Sequence, residues 1–119
     1  MPQTAITINA LKQNNASINA GDLAVTETPG DAVNGLSFPS TGKEVLLVRN
    51  TDAAAHTFTV TSIADHLGRT GDITNYSVAA GSVVAIQMST LEGWRSVITG
   101  LVTLTATSNL LNFSILRLS

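Results

Sequence analysis

The sequence predicts an all-β protein, a single-domain antiparallel β-sandwich of the jelly-roll kind. Short segments of alternating apolar and polar residues recur along the 119-residue chain, and turn residues separate them at roughly even spacing. No segment carries the repeat of apolar residues that a helix needs. A chain of this length forms one domain with one core. We expect an N-terminal arm or edge strand over residues 1–20 and a sandwich domain over residues 21–119.

The N-terminal segment is the least regular part of the chain. Ile6, Ile8 and Leu11 alternate with polar residues before the run Gln13-Asn14-Asn15, which is typical of a short strand or an extended arm that ends in a loop. Such an arm can add a strand to an exposed edge of a neighbouring protein. The three apolar residues are therefore candidate partner-binding residues.

Two short strands are predicted next. Residues 22–28 alternate apolar and polar residues and end at the turn residues Pro29-Gly30-Asp31. Residues 33–38 predict the second strand, which Pro39 closes.

The middle of the chain predicts a β-hairpin. Residues 43–50 contain the unbroken apolar run Val45-Leu46-Leu47-Val48, which is typical of a strand covered on both faces. Residues 56–63 alternate apolar residues with threonines, the pattern of a strand with one face in water. The intervening Asn50-Thr51-Asp52 favours a turn, because these side chains hydrogen-bond to nearby backbone groups.

The second half predicts a long polar loop and then further strands. Residues 64–74 form the loop, which is about as long as a compact domain carries without a functional reason. The remaining strands are predicted over residues 75–79, 82–88, 94–99, 101–107 and 111–118.

Residues with chemical function are few. Asp65, His66 and Asp72 are of metal-ligating types, but their spacing matches no known metal-binding loop. The chain has no cysteine and no nucleophile elbow. We therefore expect no metal, no other cofactor and no enzymatic activity.

The charge balance argues against nucleic acid as a partner. Thr, Ser and Asn number 36, whereas charged residues number 14 and the net charge is −2. Six dispersed basic residues provide no stripe that could neutralise phosphates. The N-terminus lacks the pattern of a signal peptide and no apolar run is long enough to span a bilayer, so we expect synthesis in a cytoplasm and no membrane partner.

Several stretches resemble small head-associated proteins of tailed bacteriophages. They are Gly35 to Glu44 with the strands that follow, the strand and turn Tyr76-Ser77-Val78-Ala79-Ala80-Gly81, and the closing strand Phe113-Ser114-Ile115-Leu116-Arg117-Leu118. The resemblance covers about residues 33–118. The chain departs from it at Ala79, where these proteins usually have a proline, and at Ser89-Thr90-Leu91.

The resemblance implies a capsid decoration, or cement, protein. Such a protein binds the outside of the assembled head through the major capsid protein, and we expect a homo-oligomer, with a trimer favoured, on the exterior of a virion made in a bacterial cytoplasm. Trp94, Arg95 and Arg69 are candidate contacts, since Trp and Arg are frequent at binding hot spots. Two plainer interpretations remain open: Trp94 as a rim residue of the core, and Arg69 in a local pair with Asp72.

Two other functions also remain open. One is a carbohydrate-binding module displayed on the virion, with its site in residues 65–72. The other is a structural subunit of the head, neck or tail.

Overall fold

The computed structural model describes residues 3–11, 24–63, 71–88, 93–96 and 98–118. These residues form an all-β sandwich of two sheets, which confirms the predicted fold class, and they contain no helix that could cross a membrane. The strands are β1 (Thr4–Ala5), β2 (Ile8–Ala10), β3 (Thr28–Pro29), β4 (Leu36–Pro39), β5 (Glu44–Asn50), β6 (His56–Thr61), β7 (Ile73–Val78), β8 (Val83–Met88), β9 (Leu101–Ala106) and β10 (Leu111–Arg117).

The strands from β3 to β10 pair as one long hairpin that is rolled on itself. β6 pairs with β7, β5 with β8, β4 with β9 and β3 with β10, all antiparallel. Rolling brings β9 beside β6 and β10 beside β5. The first sheet thus contains β4-β9-β6-β7, and the second contains β10-β5-β8 with β3 on the free side of β10. This nested pairing is the jelly-roll arrangement.

The N-terminal residues add an edge strand to each sheet. β1 pairs parallel with β4, and β2 pairs parallel with β10. Both sheets are therefore mixed: the predicted antiparallel pairing holds from β3 to β10, and each sheet gains one parallel edge strand. Ile6 lies between the two strands, where the chain passes from one sheet to the other, and is only 2% exposed. Residues 12–20 of the predicted arm lie outside the described residues.

The core fills the space between the inner faces of the sheets. Phe58 of the first sheet meets Phe113 of the second edge-on, with ring centroids 6.0 Å apart, a favourable geometry for aromatic pairs. The buried apolar residues are Ile6, Leu36, Phe38, Leu46, Val48, Phe58, Val60, Val78, Met88, Val102, Leu104, Ala106, Leu111, Phe113 and Ile115.

The predicted central hairpin is wrong, because β5 and β6 belong to different sheets. Asn50, at the end of β5, is 1% exposed and points between the sheets. Its Nδ2 donates to the Ala54 carbonyl at 2.8 Å and to the Val78 carbonyl, in the first sheet, at 2.9 Å. The buried amide therefore holds the chain in a crossover between the two sheets.

The predicted double-sided burial of β5 is also wrong. Leu46 and Val48 are completely buried, but Val45 and Leu47 on the outer face are partly exposed. The described residues leave that outer face partly open to solvent. β5 does lie in the interior of its sheet, between β10 and β8.

Three predicted strands differ from the structure. In residues 22–28, the described residues 24–27 are not in a strand. β4 begins at Leu36, three residues later than predicted, because the Asp31 carboxylate accepts the N–H groups of Val33 and Asn34 and holds them in a turn. In the strand predicted over residues 94–99, none of the described residues 94–96, 98 and 99 is in a strand. The other predicted strands of the second half match β7 to β10 within two residues at either end.

Candidate interaction surfaces

The outer face of the first sheet carries a grid of threonines. β6 and the region of β9 each contain the sequence T-x-T-x-T, and their apolar residues point into the core. The strands pair so that Thr59 lies opposite Thr105 and Thr61 lies opposite Thr103. Neighbouring threonines are about 6.8 Å apart along one strand and about 4.8 Å apart between the two paired strands. We call this grid the threonine face: Thr57, Thr59, Thr61, Thr103, Thr105 and Thr107.

Some hydroxyls of the threonine face already have partners in the chain. Thr107 Oγ1 accepts the Thr57 N–H at 3.1 Å and donates to the Thr57 carbonyl at 2.9 Å. Thr59 Oγ1 accepts the Asn75 N–H at 3.0 Å. Within the described contacts, the hydroxyls of Thr61, Thr103 and Thr105 bond to no protein group. These hydroxyls remain available to a partner.

The outer face of the second sheet is largely apolar. Val83 is 56% exposed and Leu118, just beyond β10, is 48% exposed. A groove of about 440 Å³ on this face is lined by Gly42, Lys43, Glu44, Val45, Ala85, Gln87 and Leu118. Exposed apolar patches of this kind commonly mark interaction sites.

An ion pair lies at the other end of this outer face. Arg49 Nε donates to Glu27 Oε2 at 2.8 Å, and the Arg49 side chain is about half exposed. Solvent screens such a pair, so it contributes little to stability.

A small apolar crevice opens between the sheets at the side formed by β7 and β8. Its volume is about 150 Å³, and Ile73, Ile86, Met88 and Trp94 line it together with Gln87. Trp94 is partly buried and packs against the core. The structure thus places Trp94 at the rim of the sandwich, with one side facing the crevice.

The predicted N-terminal contacts are placed very differently from one another. Ile6 belongs to the chain's own core, so its side chain is not presented to a partner. Ile8 is partly buried and packs against the same core. Leu11 is 36% exposed, and its N–H donates to the Arg117 carbonyl at 2.9 Å. The described part of the segment pairs with this chain's own sheets and so forms part of the sandwich.

The other predicted contacts do not form one cluster. Arg95 Nη1 donates to the Ser40 carbonyl at 3.0 Å, whereas the neighbouring Trp94 faces the crevice. Arg69, together with Asp65 and His66, lies outside the described residues.

Hydrogen bonds between Ser62 and Asp72 close the described base of the polar loop. Asp72 Oδ1 accepts the Ser62 N–H at 2.8 Å and the Ser62 hydroxyl at 2.6 Å. These bonds lower the pKa of Asp72. Among the described residues, no group of three His, Cys, Asp or Glu side chains could hold a metal ion.

Sequence reasoning missed the threonine face as a surface. The T-x-T-x-T runs were visible as strand patterns, but only the pairing of β6 with β9 places them side by side. That pairing joins residues more than 40 positions apart, and nothing local to either run indicates it.

Comparison with known proteins gave no match to a family model, a curated protein or a solved structure. The candidate surfaces are therefore defined by geometry and composition alone: a threonine face on which the described residues place no charge, and a largely apolar outer face on the other side of the sandwich.

Proposed function

We propose that this protein decorates the outside of a tailed-bacteriophage head, where it binds the assembled shell and bridges neighbouring copies of the major capsid protein. A binding role without catalysis is part of the proposal. The observation that carries it is the threonine face, a broad and regular surface on which the described residues place no charge.

The composition of the threonine face suits a protein partner. The centres of protein interfaces are depleted in charged residues, and burying a hydroxyl costs far less than burying an ion. The hydroxyls of Thr61, Thr103 and Thr105 can bond to polar groups of a partner, while the threonine methyl groups supply apolar contact. The face can therefore be covered without leaving a charge unpaired.

The resemblance to phage head proteins is the reason for proposing the major capsid protein as the partner. It spans the strands that build both sheets, from β4 to β10, and so concerns the sandwich as a whole. The jelly-roll arrangement also occurs in viral capsid domains and in lectins. For a lectin, a surface with stacking rings would be expected, and the described part of the threonine face contains no aromatic side chain.

The proposed mechanism is stabilisation by mass action. A protein that binds the assembled shell and not the free subunits shifts the equilibrium towards the shell. Each copy can bind weakly, because a copy that touches more than one capsid subunit, or that is linked to a second copy, gains from effective concentration. The expected consequence is greater resistance of the head to heat and to low salt.

The test is co-sedimentation with undecorated heads assembled from the major capsid protein of the same genome. The variant carries Thr61→Lys and Thr103→Lys, which place two charges opposite each other on the threonine face. We expect at least a tenfold loss of affinity. The matched control carries Ala53→Lys and Ala55→Lys, which add two charges at exposed positions of the β5–β6 crossover, and should bind like the wild type.

Two results would count against the proposal. One is a wild-type protein that does not sediment with the heads or does not raise their heat resistance. The other is a double-lysine variant that keeps its cooperative thermal unfolding and binds as tightly as the control.

A further inference from the structure

Within the described residues, three of the four outer edges of the sandwich carry features that oppose pairing with another strand. At one side, the edge strands are very short: β1 has two residues, and β2 and β3 have three and two. Short edge strands offer few backbone groups to a further strand.

The third protected edge is β7. Its pairing with β6 is interrupted by a register shift between Phe58 and Val60. Asn75 at this point has a left-handed backbone, with φ of 49°, and its N–H is bonded to Thr59 Oγ1. A bulge of this kind twists an edge away from potential partners.

The edge strand β8 lacks all of these features. It has six residues, and its register with β5 is unbroken from Met88 opposite Glu44 to Val83 opposite Arg49. It contains no charged residue and no proline. Natural proteins rarely leave such an edge uncovered, because it pairs readily with another strand.

The hydrogen bonds at the start of β8 show which of its backbone groups are free. The Asn50 N–H donates to the Ser82 carbonyl at 2.9 Å, so this backbone carbonyl points towards β5. Backbone groups alternate in direction along an antiparallel strand. The N–H and C=O groups of Val83, Ala85 and Gln87 therefore point away from β5, towards an edge with which no described strand pairs.

We propose that a second copy of this chain pairs with this edge, β8 against β8, about a two-fold axis centred on Ala85. The second sheets of the two copies then form one continuous sheet. With Ala85 opposite Ala85 and Val83 opposite Gln87, all three outward-facing residues of each copy are bonded. An axis centred on Ile86 would engage only Ala85 and Gln87.

The composition of β8 favours a second copy as the occupant. A two-fold antiparallel contact brings a strand against itself, so any charge on the strand would meet a like charge nearby. β8 has none. The pairing also makes the largely apolar outer faces continuous, because Leu47 lies opposite Ala85 and Val45 lies opposite Gln87 in each copy. The contact is two-fold, so the trimer expected from the sequence would need a different surface. This inference does not depend on the proposed function.

The test is the molar mass of the intact protein, measured by light scattering during size exclusion over a hundredfold range of concentration. We expect about twice the 12.3 kDa chain mass at the high end. Ala85→Pro removes an N–H that points away from β5, so the β5–β8 ladder is kept while the new pairing is blocked. We expect a dimer at least tenfold weaker. Ala85→Thr keeps the N–H and suits a strand, so it should dimerise like the wild type.

A second variant covers the case in which Ala85→Pro fails to fold. Ala85→Lys keeps the N–H but places two like charges at the axis, so its dimerisation should be weakened and partly restored by high salt. In the wild-type dimer, the amide hydrogens of Val83, Ala85 and Gln87 should exchange more slowly than in the monomer.

Three outcomes would overturn the proposal. The first is a wild-type protein that is monomeric or trimeric throughout the concentration range. The second is a dimer that neither Ala85→Pro nor Ala85→Lys weakens. The third is a monomer in solution whose binding to phage heads is lost in Ala85→Pro, since the edge would then accept a strand of the shell and not a second copy.

Discussion

Glu44 and Arg117 form an ion pair across β5 and β10, with 2.6 Å between Arg117 Nε and Glu44 Oε2, although the Glu44 side chain is completely buried. Thr41 donates both its N–H and its hydroxyl to this carboxylate, and the N–H groups of Gly42 and Lys43 also point to it. Burial raises the pKa of Glu44, but these hydrogen bonds and the Arg117 charge outweigh it and lower the pKa to about 2. The buried charge thus holds the β4–β5 turn against the closing strand.

Acid should therefore destabilise the protein. The folded pKa of Glu44, about 2, lies below its ordinary value of 4.5. The stability that this difference provides is fully present above about pH 5 and is lost as the pH falls towards 2. The pKa values of Asp31, Asp52 and Asp72 are also lowered by hydrogen bonds, so they act in the same direction. Urea unfolding at a series of pH values should show this decline.

The variant Glu44→Gln isolates the contribution of Glu44. At pH 7 we expect it to lower the free energy of unfolding by roughly 3 kcal/mol, because it leaves Arg117 without its charged partner and removes the charge that the turn donors bind. The gap between variant and wild type should narrow as the pH approaches 2. Parallel pH profiles for the two proteins would contradict this account of the pair.

The strands were largely predictable from the sequence, because alternation reports which residues point inwards. Val84, Ile86 and Met88 share the inner face of β8, as their spacing indicates. The partners of the strands were not predictable in the same way. A polar turn such as Asn50-Thr51-Asp52 has the same local chemistry whether it closes a hairpin or crosses between two sheets. The burial of Asn50 decides which of the two connections forms. This burial depends on the bond from Asn50 to Val78 in β7, 28 residues further along the chain.

The candidate surfaces were harder to predict than the fold. The threonine face arises from the register of two distant strands, and the open edge of β8 arises from the strand order, so neither has a local signature. The buried Glu44 was missed for a related reason, since a carboxylate at the start of a strand is ordinarily solvated. The preceding Ser40-Thr41-Gly42, a turn rich in donors, is the one local feature that indicates its environment.

Asn50→Asp should be strongly destabilising at neutral pH. The substitution replaces two donated hydrogen bonds with a carboxylate that faces the Ala54 and Val78 carbonyls in a buried site. We expect a loss of about 3 kcal/mol in the free energy of unfolding. Burial and the facing carbonyls would raise the pKa of the new carboxyl group, so the loss should shrink near pH 4, where the group is protonated. The control is Asn109→Asp at an exposed turn, which should change stability little at any pH.

A side chain at Gly30 should destabilise the protein, and Gly71 provides the matched comparison. Gly30 is buried beside β10, and its N–H donates to the Leu111 carbonyl at 2.7 Å. A Cβ atom at this position would lie 2.6 Å from the Ser108 carbonyl oxygen and 3.0 Å from that of Leu111, so the backbone would have to move. We expect Gly30→Ala to cost about 1–3 kcal/mol.

A Cβ atom at Gly71 would have no atom within 4 Å, and the backbone there is not left-handed. Gly71→Ala should therefore be neutral or stabilise the protein by up to about 1 kcal/mol, because alanine restricts the unfolded chain. Thermal unfolding of both variants under the same conditions separates the two effects. Equal melting temperatures would mean that the close approach of Gly30 to the β9–β10 turn does not constrain the fold.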